Sequence, residues 1–216
     1  MRSREKIIEA LTRRVLIAVI RTKDARQVLP VCEALVKGGI TALEITMTVP
    51  RALEVFREAK ERLGGEAVMG VGSVLNASMS RAAMEAGAEF VVSPITRKEI
   101  AEVAHGAGGA VMLGAYTPTE AQTAHEAGAD FVKLFPADQL GPSHVRALRA
   151  PMPHLRIVPT GGVSLETIGP FLAAGCAALG VGSSLVTSGI LEKEDWETLA
   201  SRARGFVERV AQVTGN

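Results

Sequence analysis

Short apolar runs recur along the chain, each reached through a glycine or proline and each followed by a stretch of mixed polarity. Residues 15–20 open the series, and Ala42-Leu43-Glu44-Ile45-Thr46 follows Gly38-Gly39. Residues 67–72 follow Gly64-Gly65, residues 90–94 follow Gly87, and residues 110–114 follow Gly108-Gly109. Residues 131–136 follow Gly128, residues 155–159 follow Pro151 and Pro153, and residues 178–182 follow Gly175. Near-continuous apolar runs of this length read as strands buried on both faces, the habit of a parallel sheet. The segments between them, such as 49–63, 77–86, 117–127 and 165–174, have helix length and are amphipathic or alanine-rich. Thr117 with Glu120, and Ser164 with Glu166, mark helix starts, and glycine just past a helix suits a left-handed C-cap.

Eight strand–helix alternations predict an α/β protein, a single-domain (β/α)8 TIM barrel over residues 1–216. An N-terminal helix over about 3–13 and a C-terminal helix over about 194–213 flank the repeat. A doubly wound open sheet is the alternative, but no glycine-rich dinucleotide fingerprint follows the first strand.

Composition narrows the classes. A chain of 216 residues with 47% hydrophobic and 22% charged residues is globular. Its net charge of +1, with scattered lysines and arginines, gives no footprint for nucleic acid or an anionic membrane surface. Cys32 and Cys176 lack metal-ligand or disulfide spacing and read as small buried hydrophobes within helices. Residues 15–20 are too short for a signal segment or a membrane span, so a soluble cytoplasmic protein is expected.

Ionisable residues inside apolar strands change the picture most. Lys133 stands in Phe131-Val132-Lys133-Leu134-Phe135-Pro136, and Glu44 stands between Leu43 and Ile45. Burial disfavours an ammonium, so a lysine there is either a partnered structural cation, with its stem packed and its head on water or a carboxylate, or a nucleophilic amine. Glu44 fits both alternatives, as an ion-pair partner or as a proton carrier beside the amine. In a barrel, chemistry sits at the carboxyl ends of the strands, which brings Arg21, Glu44, Ser73, Pro94, Tyr116, Lys133, Thr160 and Ser183 toward one face. Thr160-Gly161-Gly162-Val163-Ser164 and Gly180-Val181-Gly182-Ser183-Ser184 are glycine-rich turns after the last two strands, where such barrels commonly cradle a phosphate. Arg21 is either an anion-binding group or a solvent-facing one, and Ser73 either a donor to a carboxylate or a turn former. The four histidines fall on helices or loop tips, and Asp130 reads as structural.

At these residues the sequence resembles the class I aldolases of the 2-keto-3-deoxy-6-phosphogluconate (KDPG) and 4-hydroxy-2-oxoglutarate (KHG) family. The matching pieces are Gly38-Gly39 through Thr46, Gly70-Val71-Gly72-Ser73-Val74-Leu75, Glu85-Ala86-Gly87-Ala88 through Pro94, Lys133-Leu134-Phe135-Pro136-Ala137, Pro159-Thr160-Gly161-Gly162 and Gly182-Ser183. The resemblance implies a homotrimer of barrels that cleaves a small phosphorylated keto acid to pyruvate and glyceraldehyde 3-phosphate in the Entner–Doudoroff pathway, or 4-hydroxy-2-oxoglutarate to pyruvate and glyoxylate. It implies a Schiff base on Lys133, acid–base work by Glu44 and a pyruvate pocket walled by Phe135 and Pro94. It further implies that Thr160 and Ser73 lie near the pyruvyl group, that Gly161, Gly162, Gly182 and Ser183 cradle the phosphate, and that Arg21 reaches the substrate. No metal or cofactor is expected, because an iminium can itself accept the electron pair of the broken bond. Two positions depart from the better-known members: Thr48 replaces a common arginine credited with holding the pyruvate carboxylate, and Ser73 replaces threonine. Arg51, three residues after Thr48, is a candidate substitute. A phosphosugar isomerase or epimerase, and a non-catalytic phosphosugar-binding barrel, remain as alternatives.

Overall fold

A computed structural model describes residues 2–215, and Met1 and Asn216 lie outside the described residues. Eight strands form: β1 Leu16–Ile20, β2 Ala42–Thr46, β3 Val68–Gly72, β4 Phe90–Val92, β5 Ala110–Ala115, β6 Phe131–Leu134, β7 Ile157–Pro159 and β8 Leu179–Val181. All adjacent strands pair in parallel, in the order β7-β6-β5-β4-β3-β2-β1-β8. The remaining seam, β7 to β8, is bridged at Thr160–Gly180 and by the Ala177 N–H donating to the Ile157 carbonyl. The fold is therefore the (β/α)8 barrel predicted from the alternation, not an open sheet.

The helices are α1 Arg4–Arg14, α2 Val28–Lys37, α3 Ala52–Leu63, α4 Ala77–Glu85, α5 Lys98–Gly106, α6 Pro118–Glu126, α7 Gly141–Arg149, α8 Ile168–Ala173, α9 Ser188–Lys193 and α10 Trp196–Thr214. Thr117 and Glu120 cap α6 reciprocally, as their spacing predicts. Two helices start later than their patterns suggest. Arg51 takes a left-handed backbone (φ 56°), which delays α3 to Ala52. Thr167 delays α8 to Ile168: its hydroxyl accepts from the Ser164 N–H and donates to the Gly162 carbonyl, closing a turn ahead of the helix. Cys32 lies in α2, but Cys176 sits in the loop after α8, outside any helix. Burial pushes both thiols up to about 12, so neither is a ready nucleophile.

Strand alternation divides the apolar side chains into two layers. Ile17, Ala42, Val68, Phe90, Ala110, Phe131 and Ala178 fill the barrel interior, and Ile7 and Leu11 of α1 pack into it. Ala18, Ile20, Leu43, Ile45, Val91 and their neighbours form the larger layer between strands and helices. At the strand starts, Glu89 and Asp130 are buried carboxylates with dedicated partners. Arg2 (2.6 Å), Lys60 and the Met69 amide serve Glu89; Arg4 (2.6 Å), His105 and the Val111 amide serve Asp130. These bonds tie the segment around α1 across the base of the ring.

Burial alone would push the Glu89 carboxyl up, yet hydrogen bonds from Lys60 and Arg2, with the Lys60 charge, hold it below its ordinary 4.5. A depressed carboxyl stabilises the fold above the pH at which it titrates in the unfolded chain, and that contribution is lost as pH falls through the lower folded value. Glu89→Gln is expected to destabilise the protein by about 2 kcal/mol at neutral pH through lost charge-assisted hydrogen bonds. Thermal melts from pH 7 downward check this: the gap between parent and variant should narrow below about pH 4.5.

Candidate active site

β2 and β6 stand four strands apart in a ring of eight, so their inward side chains approach each other across the barrel axis. Glu44, in mid β2, and Lys133, in β6, do so: Lys133 Nζ lies 3.8 Å from Glu44 Oε1. Their residues are 6% and 3% exposed, so both heads are largely withdrawn from water. Lys133 Nζ also stands 5.2 Å from the centroid of the Phe135 ring, within cation–π range. The pair is not a closed structural bridge. Its separation is at the outer edge of salt-bridge contact, and Glu44 Oε1 is buried without a hydrogen-bond partner among the described residues. Buried acceptors are nearly always satisfied, so a carboxylate oxygen with only an amine at 3.8 Å beside it marks the pair as a candidate site.

The mouth of the barrel collects most of the other candidates. Phe135 is 37% exposed at the end of β6 and carries its ring from the lysine toward solvent. Pro94 follows β4 and crowds over β5: a Cβ on Gly114 would fall 2.1 Å from the Pro94 carbonyl. Ser73 follows β3 with a left-handed backbone (φ 61°), an uncommon choice for a residue other than glycine and one that turns the chain sharply at the rim. Thr160 is buried, and its hydroxyl occupies the space a Cβ on Gly180 would need, 2.3 Å away.

Gly161 and Gly162 both take positive φ (92° and 69°), and Asp138 packs so close to Gly162 that a Cβ there would clash at 2.7 Å. Gly182 opens the adjacent turn, where its carbonyl accepts from the Leu185 and Val186 amides and leaves Ser183 exposed. Ser184 Oγ donates to the Val163 carbonyl and ties the two turns together. The N–H groups of Gly162, Ser183 and Ser184 donate to no protein acceptor among the described residues, leaving a cluster of donors of the kind that binds an anion, while Gly161 sits beside the Thr160–Gly180 bridge.

Three arginine and threonine positions are less closely drawn in. Arg21 is exposed immediately after β1. Thr48 is exposed beyond β2 with its Oγ1 2.8 Å from that of Thr46, which in turn reaches the Ile20 carbonyl. Arg51, the candidate substitute, pairs its guanidinium with Glu54 in the first turn of α3, with both side chains largely exposed. Sequence reasoning missed the strand glycines that make the room, Gly72, Gly114 and Gly180 among them. Their signal was present, because a glycine inside a strand usually marks a close approach.

A separate recess, bordered by Arg2, Arg4, Glu89 and His105, opens at the opposite end of the barrel, where its charged groups already neutralise one another. Among the described residues no helix is long and apolar enough to cross a membrane, and no group of three or more His, Cys, Asp or Glu could hold a metal ion.

The model of the family described as "Aldolase: KDPG and KHG aldolase" matches residues 7–201. The 2-dehydro-3-deoxy-6-phosphogalactonate aldolase of Escherichia coli (strain K12) is 33% identical over 198 residues, covering 91% of this chain and 95% of its own. The 2-dehydro-3-deoxy-phosphogluconate aldolase of Pseudomonas aeruginosa is 32% identical over 207 residues, covering 95% and 94%. Among solved structures, the KDPG aldolase from Legionella pneumophila with pyruvate captured as a covalent carbinolamine intermediate superposes with a TM-score of 0.83 at 25% identity, over 93% of this chain and 96% of that one.

Proposed function

Because the chain belongs to the KDPG and KHG aldolase family, a family of carbon–carbon lyases, we propose that it is a Schiff-base aldolase acting on a phosphorylated 2-keto-3-deoxy acid. The observation that carries this reading is the buried Lys133–Glu44 pair with its unsatisfied carboxylate oxygen. The carbinolamine named for the Legionella protein supports covalent chemistry at an amine on the same fold.

In the proposed reaction on 2-dehydro-3-deoxy-6-phosphogluconate, Lys133 Nζ attacks the C2 carbonyl. The carbinolamine loses water to give an iminium. Glu44, directly or through one water, takes the C4 hydroxyl proton. The C3–C4 bond breaks, its electron pair passes to the iminium to form an enamine, and glyceraldehyde 3-phosphate leaves. Protonation of the enamine at C3 and hydrolysis release pyruvate and restore the amine. The amides of Gly162 and Ser183, with Gly161 and Gly182 shaping their turns, hold the phosphate. Phe135, Pro94, Thr160 and Ser73 bound the pyruvyl end, and Arg21 reaches the substrate from the rim.

Two substrate details follow from the relatives. The Escherichia coli relative is named for the galactonate compound, the C4 epimer of the gluconate one, so either configuration at the carbon whose proton Glu44 takes is a candidate. Cleavage of 4-hydroxy-2-oxoglutarate to pyruvate and glyoxylate needs the same lysine and glutamate but no phosphate turns. The working unit is a homotrimer: Leu75, Ile95 and Tyr116, each 39–45% exposed after three successive strands, give a row of apolar side chains for a second copy to cover. Sedimentation at the mass of three chains is the expected result.

The test is borohydride reduction with saturating pyruvate. An irreversible mass gain on Lys133 is expected; its absence overturns the Schiff-base reading.

A further inference from the structure

A glycine within a strand forfeits a packing side chain and adds freedom to the unfolded chain, so its presence calls for a compensating reason. On β3, Gly70 pairs in register with Glu44, and Gly72 pairs with Thr46. Neither glycine takes a left-handed backbone, so conformation alone would accept alanine at both. What differs is the neighbour each one admits. A Cβ on Gly70 would stand 2.4 Å from the ring of Phe90, which fills that space in the apolar interior. A Cβ on Gly72 would stand 1.8 Å from Glu44 Oε1, 2.5 Å from its carboxyl carbon and 2.7 Å from its Cγ. All three are below the 3.0 Å that Cβ contacts essentially never breach.

We infer that Gly72 is a positioning residue: its missing side chain is the space in which the Glu44 carboxylate stands beside Lys133. The inference rests on the acid–base role proposed for Glu44 and adds to it the element that fixes where the proton is taken. With Gly70 occupied by Phe90 below, Gly72 is the vacancy on β3 that admits the carboxylate's end. A methyl group there displaces the carboxylate by roughly 1 Å, and a misplacement of that size costs about 100-fold in rate when the displaced group takes part in the chemistry.

Gly72→Ala is therefore expected to lower kcat about 100-fold, while pyruvate still forms its reducible adduct on Lys133 to within a few-fold of the parent. The diagnostic variant is the double Glu44→Ala/Gly72→Ala, because truncation at Cβ removes all three Glu44 atoms that the added methyl would meet. In the Glu44→Ala background Gly72→Ala should cost no further kcat, and the double variant's melting temperature should recover whatever Gly72→Ala loses. A role for Gly72 independent of Glu44 would cost the same in either background.

Parent-like kcat in Gly72→Ala, or an equal further loss from it in the Glu44→Ala background, overturns the inference. So does a Gly72→Ala protein that fails to fold and is not recovered by Glu44→Ala. Glu44→Gln, assayed alongside, separates the two levels. If it is impaired while Gly72→Ala is not, only the positioning role falls; if it turns over like the parent, the acid–base reading falls and takes the positioning role with it.

Discussion

Lys133→Met is expected to abolish turnover, by about ten-thousand-fold or more, and to leave no borohydride-trappable adduct with pyruvate. A loss of that size corresponds to about 5.5 kcal/mol of transition-state stabilisation, the scale of removing a covalent path rather than a contact. The substitution keeps an unbranched side chain of similar length in a strand that is buried throughout, so the barrel should close around it. Its cost in stability comes from Glu44, whose carboxylate then lies buried without the opposing charge that now stands 3.8 Å away. Lys133→Arg sharpens the test. It keeps a cation in place but presents no free amine, so an enzyme using Lys133 only for electrostatic stabilisation would survive the change and a Schiff-base aldolase would not. Cleavage assays on both variants, with thermal melts to show folding, decide between these outcomes.

Glu44→Gln is the second large effect, roughly 100- to 10,000-fold in kcat, the range for removing a positioned acid–base group. Here the loss falls on one part of the cycle. The nucleophile is untouched, so pyruvate should still be trapped on Lys133 while cleavage of the full substrate slows. The glutamine keeps the shape of the carboxylate in the space beside Gly72, which makes a packing defect a poor explanation for the loss. Turnover like the parent's would remove Glu44 from the mechanism and direct attention to a water held by other groups at the rim.

Much of this was written in the chain in a form that periodicity exposes. Parallel strands covered by helices read as apolar runs, and glycines such as Gly39 and Gly128 mark helix ends because they take the positive φ the turn demands. Lys133 and Glu44 stood out because charge inside such a run is costly. Their approach to each other follows only from ring closure, since strand pairing and not local sequence sets which interior positions face across the axis. The same limit hid the role of Gly72, which is defined by a side chain on another strand. Helix starts slipped where a side chain or an unusual backbone overrode the apolar pattern, as Thr167 does before α8 and Arg51 before α3. Arg51 also shows what local sequence leaves out: Glu54, one helical turn on, offers it a partner at the surface.

On the proposed reading, the placement of Lys133 and Glu44 on opposite walls makes activity a reporter of ring closure. No excised half of the ring holds both groups in their working relation, and a partly formed sheet leaves them on separate surfaces in water. The contacts that join them are among the most non-local in the chain, formed late if the ring assembles from neighbouring units. On the proposed reading, a sheet too incomplete to bring β2 and β6 face to face is expected to be catalytically silent.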